Sequence, residues 1–162
     1  MSTETKVLTA ISVVTIGIVI GAAVMLGGKP TPEKAEPPVD TKVLIREDSH
    51  KLGNKKAKVS VVEFGDFQCP ACGAAHPIVK QLKEEYKDKV VFVYREYPLA
   101  MHEHAKLAAF AAEAAGAQGK FFEMHDKLFD NQKNWGESKD AENKIMGYAE
   151  ELKLDMDTFK SD

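Results

Sequence analysis

The chain is 162 residues long and carries a net charge of −3, with acidic and basic residues mixed along it. That mixture leaves no basic stripe for nucleic acid, and a total of two cysteines excludes a disulfide-stapled framework. The first ~40 residues do not read as globular, so the remainder is sized for one domain with one core.

Residues 1–28 are expected to form an N-terminal transmembrane anchor. Val7 to Leu26 (VLTAISVVTIGIVIGAAVML) is uncharged, with Lys6 before it and Lys29 after it. Its length matches the roughly 20 residues that span a bilayer core. A cleaved signal peptide has a shorter apolar core and a clear small-x-small site. Gly21-Ala22-Ala23 is a weak version of such a site, so an uncleaved anchor is expected. The charges on the two flanks are too evenly matched to set its orientation. Residues 29–56 read as a linker rich in proline and charge, then a polar approach to the domain. In that approach Val43-Leu44-Ile45 either adds a short edge strand or docks, and Ser49 to Asn54 reads as turns.

The domain is expected over 57–162. Val59 to Phe64 reads as its first confident strand, buried on both faces as a central strand would be. A helix follows from about Cys69 to Tyr86. Pro77 should kink it, Ile78, Val79 and Leu82 should form its buried stripe, and Lys83, Glu84, Glu85 and Lys87 should face water. Val90 to Arg95 reads as a second strand, parallel to the first across that helix. The pattern then turns helical over about 103–162. Glu103 to Ala117 is alanine-rich, and Lys120 to Phe129 carries Phe121, Phe122, Met124, His125, Leu128 and Phe129 on a broad apolar face. Asn131 to Gly136 reads as a loop anchored by Trp135. Lys139 to Leu152 reads as a helix facing inward through Ile145, Tyr148, Ala149 and Leu152, and Asp155 or Asp157 caps a last one.

Both cysteines lie in Phe64-Gly65-Asp66-Phe67-Gln68-Cys69-Pro70-Ala71-Cys72, between the first strand and its helix. A strand that delivers Cys-x-x-Cys to the first turn of a helix is an arrangement suited to thiol–disulfide chemistry. Free backbone N–H groups and the positive end of the dipole favour thiolate there. Cys69 would be the exposed nucleophile and Cys72 the resolving partner, and Pro70 suits the first helical turn. A zinc site needs about four ligands. With no second cysteine pair, it would have to be Cys₂His₂ and recruit His76 and one of His50, His102, His104 and His125. Haem attachment would need a histidine where Gly73 stands. A disulfide closing so small a loop would add little stability.

The stretches VSVVEFGDFQCPAC and VVFVYREYPLAMHEHAKLAAFAAEAAGAQGKFFEMHDKLFDNQKNW resemble the DsbA-like family of the thioredoxin superfamily, especially its membrane-anchored members. The resemblance covers about residues 57–160. It implies an α/β thioredoxin-like fold interrupted by a helical subdomain at about 103–162. It implies an extracytoplasmic thiol:disulfide oxidoreductase that forms or exchanges disulfides in exported proteins, without a diffusible organic cofactor. A membrane partner of the DsbB or vitamin-K-epoxide-reductase type would recharge it. Cys69 matches the attacking cysteine, Cys72 the resolving one, and Glu63 a buried acid that helps move protons at the dithiol. A carboxylate in an apolar strand is costly unless paired or protonated, which suits that role, whereas Glu63 turned to solvent would merely end a strand. Asp66 is a weaker candidate, since turns favour aspartate. The bland readings for the remaining residues are surface capping for His102 and His104 and packing among the phenylalanines for His125.

Pro98 is the last proline, and it precedes the helices. The family's cis-proline loop, its late strands and closing helix are expected after the helical subdomain and have no counterpart in the sequence. A sheet without those strands exposes an apolar edge, from which low stability or self-association follows. Pro-Ala between the cysteines replaces the histidine of the most oxidising members, so the resemblance implies an oxidase of intermediate strength, an isomerase or a reductase. Two other readings stay open: a membrane-tethered metal-binding or chaperone module, and an inactive fragment of a longer oxidoreductase.

Overall fold

The computed structural model describes Thr5 and residues 14–19, 21–22 and 39–162. It divides into two units, Met1–Pro38 and Val39–Asp162. In the first unit, residues 14–19 and 21–22 are helical and exposed. The expected anchor over Val7 to Leu26 lies largely outside the described residues, among which no helix is long and apolar enough to cross a membrane.

The second unit begins with helix α1 (Thr41–Leu44), started by the Asp40 carboxylate accepting from Lys42 N. No edge strand forms at Val43-Leu44-Ile45. The segment docks instead, because the Arg95 guanidinium donates to the carbonyls of Val43 and Leu44 at 3.0 and 2.9 Å. Strands β1 (His50–Gly53), β2 (Val59–Gly65) and β3 (Val90–Glu96) make a sheet in the order β1-β3-β2, and helix α2 (Pro70–Glu85) connects β2 to β3. β2 and β3 are parallel, with Val59 opposite Val90 and Gly65 opposite Glu96. β1 runs antiparallel to β3 where only turns were expected.

Two expectations are overturned by this geometry. β2 is not the central strand. Its outer edge has no partner among the described residues, and Val59, Val61 and Phe64 are 55%, 43% and 51% exposed. β3 takes the central place, with Val91, Phe92, Val93 and Tyr94 all buried. Both runs are mostly apolar in sequence, but β2 carries Ser60 and Glu63 within it, whereas β3 is apolar without a break from Val90 to Tyr94. The stripe of α2 is also rotated. His76 and Lys83 are buried, whereas Ile78 and Leu82 are exposed. Cys72 sets the phase: it packs against the core, and residues 76, 79 and 83 follow it on one face at helical spacing. Pro77 lies inside the helix without ending it.

The helical subdomain comprises α3 (Ala105–Ala117), α4 (Phe121–Asp130), α5 (Gln132–Trp135), α6 (Ala141–Glu151) and α7 (Met156–Ser161). Ala108, Ala112 and Ala115 are fully buried on α3, and their small side chains allow close helix approach to Met124, Leu128 and Ala149 in the same core. Trp135 has no exposure and donates its indole N–H to the Leu128 carbonyl at 2.8 Å. Its segment is a single helical turn rather than a loop. Asp155 caps α7 by accepting from Thr158 N at 2.8 Å.

This subdomain fixes the loop between β2 and α2. From α5, the Gln132 amide donates to the carbonyls of Phe67 and Cys69 at 2.7 and 2.8 Å. Gly73 leaves room for that amide, since a Cβ there would lie within 3.0 Å of its oxygen, carbon and nitrogen. Gln68 donates to the Gly136 carbonyl.

The bare outer edge of β2, with its exposed valines, is expected to pair with other chains. Sedimentation velocity should show concentration-dependent association that Val61→Lys reduces. A chain that stays monomeric and unfolds in one sharp transition would refute this.

Candidate functional site

Cys69 is the N-cap of α2, with φ −66° and ψ 121°, and Pro70 opens the helix behind it. Its side chain makes no capping hydrogen bond. Its carbonyl accepts from Gly73 N at 3.0 Å, which starts the first turn. Both cysteines are free thiols and partly exposed. Burial pushes the Cys72 thiol up, and its contact with the Cys69 sulfur adds to this, while a backbone hydrogen bond at Asp66 pulls the other way. Cys72 therefore stays a thiol until a base takes its proton.

Asp66 is a structural centre rather than a surface turn residue. It is 3% exposed, and its carboxylate accepts from Gln68 N at 2.7 Å and Leu99 N at 2.9 Å. His102 Nδ1 lies 2.7 Å away on the same group. His102, in the connection after β3, thus ties that segment to the loop before the dithiol and is no surface cap. His104 starts α3 as expected but caps it with no side-chain bond; its backbone N–H donates to Gln68 Oε1 at 2.6 Å. An aspartate inside an apolar flank was the one sequence signal for this knot; Gln68, Gln132 and His102 offered none.

Glu63 lies on β2, and its side chain is 23% exposed. Lys83 Nζ, brought inward by the phase of α2, stands 3.8 Å from its carboxylate. Burial raises the Glu63 pKa, and the charges of Lys83 and His76 oppose the rise. Burial lowers Lys83, with Glu63 opposing. Lys83 Nζ lies 5.5 Å from the Phe122 ring and makes no hydrogen bond. Tyr94 is register partner to Glu63, is 2% exposed, and keeps its hydroxyl without a hydrogen-bond partner. The phenol lies over Gly65, where a Cβ would be under 3.0 Å from the ring. Burial raises Tyr94, and the charges of Glu96, Glu63, Cys72 and Asp66 all reach it. Cys69 and Cys72 thus lie together at the start of α2 with Asp66 acting on Cys72, while Glu63 on β2 pairs with Lys83.

The Cys₂His₂ alternative does not assemble. His76 turns to Asp130 at 3.2 Å, and the metal-capable group among the described residues, His76, His125 and Asp126, contains no cysteine.

Burial pushes Glu96 up to about 9, with the charges of Glu113 and Asp66 adding. A folded pKa above the ordinary 4.5 means that its stability contribution is complete below pH 4.5 and is lost as pH rises towards about 9. Glu96→Gln should therefore raise the melting temperature by several degrees at pH 8 and by much less at pH 5, as followed by circular dichroism.

The thioredoxin family model matches residues 46–161. A thioredoxin-like oxidoreductase from Silicibacter pomeroyi DSS-3 superposes with a TM-score of 0.63 at 34% identity, covering 76% of this chain and 68% of that one. The thiol-disulfide exchange protein alpha-DsbA2 from Wolbachia pipientis shares the fold with a TM-score of 0.65 at 24% identity, over 75% of this chain and 62% of that one. Among curated proteins, the Na(+)/H(+) antiporter NhaA 1 of Salinispora arenicola (strain CNS-205) is 45% identical over 124 residues, which are 75% of this chain. The chain spans 18% of that relative's length. The chain belongs to the thioredoxin family, and its structural relatives are DsbA-like thiol–disulfide oxidoreductases.

Proposed function

We propose that the chain is an extracytoplasmic thiol:disulfide oxidoreductase that forms or exchanges disulfides in exported proteins through Cys69-Pro70-Ala71-Cys72. One observation carries the reading: a free dithiol whose first sulfur begins a helix and whose second packs one turn further in against the core. In the oxidising direction a substrate thiolate attacks Cys69 Sγ and expels Cys72 as thiolate. A second substrate thiolate then attacks the substrate sulfur of the mixed disulfide and expels Cys69. The substrate loses two electrons, and the dithiol gains them. In the reverse direction Cys69 attacks a substrate disulfide, and Cys72, deprotonated by Glu63, resolves it. This cycle needs no diffusible organic cofactor.

Further assignments belong to the same reading. Val7 to Leu26 tethers the domain to the membrane. The dithiol faces the extracytoplasmic side, where disulfides persist. A membrane partner of the DsbB or vitamin-K-epoxide-reductase type takes up its electrons. Reduced exported proteins are the substrates, and nucleic acid is no partner of a chain with a net charge of −3. The antiporter name belongs to proteins of which this chain spans under a fifth, and it carries no transport role to this segment.

Cys72→Ser is expected to accumulate a mixed disulfide with a scrambled-disulfide substrate protein through Cys69, seen as a mass adduct that dithiothreitol removes. Absence of the adduct, or its persistence in Cys69→Ser/Cys72→Ser, would sink the proposal. Glu63→Gln should slow resolution by Cys72 at least about tenfold, given the usual contribution of general-base catalysis. That loss should shrink as pH rises and hydroxide replaces the carboxylate, in stopped-flow measurements between pH 5 and 9.

A further inference from the structure

Beneath the dithiol, between α2 and α4, lies a group of side chains that disulfide exchange does not use. His76 follows Cys72 by one turn on the inward stripe of α2 and is 3% exposed. Its Nε2 is 3.2 Å from Asp130 Oδ1 and 4.0 Å from Asp126 Oδ1. His125 has no exposure and presents Nδ1 to Asp126 Oδ1 at 2.9 Å. One ligand atom each from His76, His125 and Asp126 lie within 4.8 Å of one another. We propose that His76, His125 and Asp126 form a binding site for a divalent ion of the zinc class, clamping α2 to α4, with Asp130 beside His76 as the nearest further carboxylate.

Three observations support the assignment. A tetrahedral ion bound at about 2.0–2.1 Å holds its nitrogen and oxygen ligands roughly 3.3 Å apart. His125 Nδ1 and Asp126 Oδ1 are 2.9 Å apart and His76 Nε2 and Asp126 Oδ1 4.0 Å apart, on either side of that value. Next, the two carboxylates are already oriented. Lys80 Nζ holds Asp126 Oδ2 at 3.3 Å and Asp130 Oδ2 at 3.1 Å, so both Oδ1 atoms face the imidazoles. Ligating carboxylates are commonly held by further hydrogen bonds. Lys80 therefore need not leave when the ion enters. The second nearby ammonium, Lys83, has its own counter-charge in Glu63 at 3.8 Å.

The third observation is burial. His125 has no exposure and sits among the rings of Phe67, Tyr94 and Phe129, which keep water from it, and the nitrogen turned towards Asp126 is Nδ1. The two carboxylates together offset a divalent charge, and Lys80 remains as one surplus positive charge. A donor set of imidazole and carboxylate suits zinc or cobalt rather than calcium or magnesium, which take oxygen alone. Asp126 and Asp130 are one turn apart on α4, so the ion would join two helices whose polar groups otherwise meet only through hydrogen bonds and ion pairs.

The test uses the full chain with Cys69→Ser/Cys72→Ser, which removes thiolate ligands and disulfide exchange together and so separates this site from the proposed activity. Titration with cobalt(II) alone should give one equivalent bound, with the intense visible absorption of a tetrahedral ion, and zinc(II) should displace it. Zinc should also raise the melting temperature. Asp126→Asn/Asp130→Asn alters only partly exposed side chains and should keep the helical circular dichroism while weakening cobalt binding at least 100-fold. No binding, or a weak octahedral spectrum that survives Asp126→Asn/Asp130→Asn, would overturn the site and leave a hydrogen-bonded helix contact.

Discussion

The dithiol depends on a buried carboxylate that belongs to neither cysteine. Asp66 takes hydrogen bonds from the loop it begins, at Gln68, and from the connection after β3, at Leu99 and His102. Two loops that must lie side by side for Cys69 to cap α2 are thereby held by one group. A carboxylate at 3% exposure is tolerable only because its lone pairs are filled. Its role is geometric, and the sulfur chemistry follows from the helix start that it positions.

The same loop is bolted from the other side by the helical subdomain. Gln132 grips the Phe67 and Cys69 carbonyls, and Gln68 reaches Gly136 and His104. The helices are therefore part of the frame around the dithiol. Under α2 the polar groups fall into two sets. Glu63 and Lys83 lie on the strand side, and His76, Lys80, Asp126 and Asp130 lie on the α4 side. The first set matches one charge with its opposite, and in the second Lys80 bridges both carboxylates, which is how one helix carries so many ionisable groups on a half-buried face.

The β2-α2-β3 unit, the apolar face of α4, the burial of Trp135 and the Asp155 cap were all legible, because each is written in local periodicity or a capping residue. What was not legible came from partners far away in the chain. β1, His50-Lys51-Leu52-Gly53, has no β-branched residue, and it is a strand because β3 offers it an edge. The phase of α2 could not be found by hydropathy, since Ile78 and Leu82 look more buriable than His76 and Lys83. Only the inward position of Cys72 decides it. Asp66 with His102 and Gln132 with Cys69 join positions 36 and 63 apart, with no spacing rule to announce them.

Those separations also bear on how the chain matures during synthesis. The bonds from Gln132 and Gly136 that hold the Cys69 loop come from 63 to 68 positions further on. At about 5–20 residues per second, roughly 3–14 s pass between the emergence of Cys69 and that of the groups which secure it. Throughout that interval Cys69 and Cys72 are ordinary flexible thiols at a nascent helix end, open to oxidation and to capture by other cysteines. The mature geometry of the dithiol is thus acquired late, and a chain halted before Gly136 would carry both sulfurs without the frame that directs them.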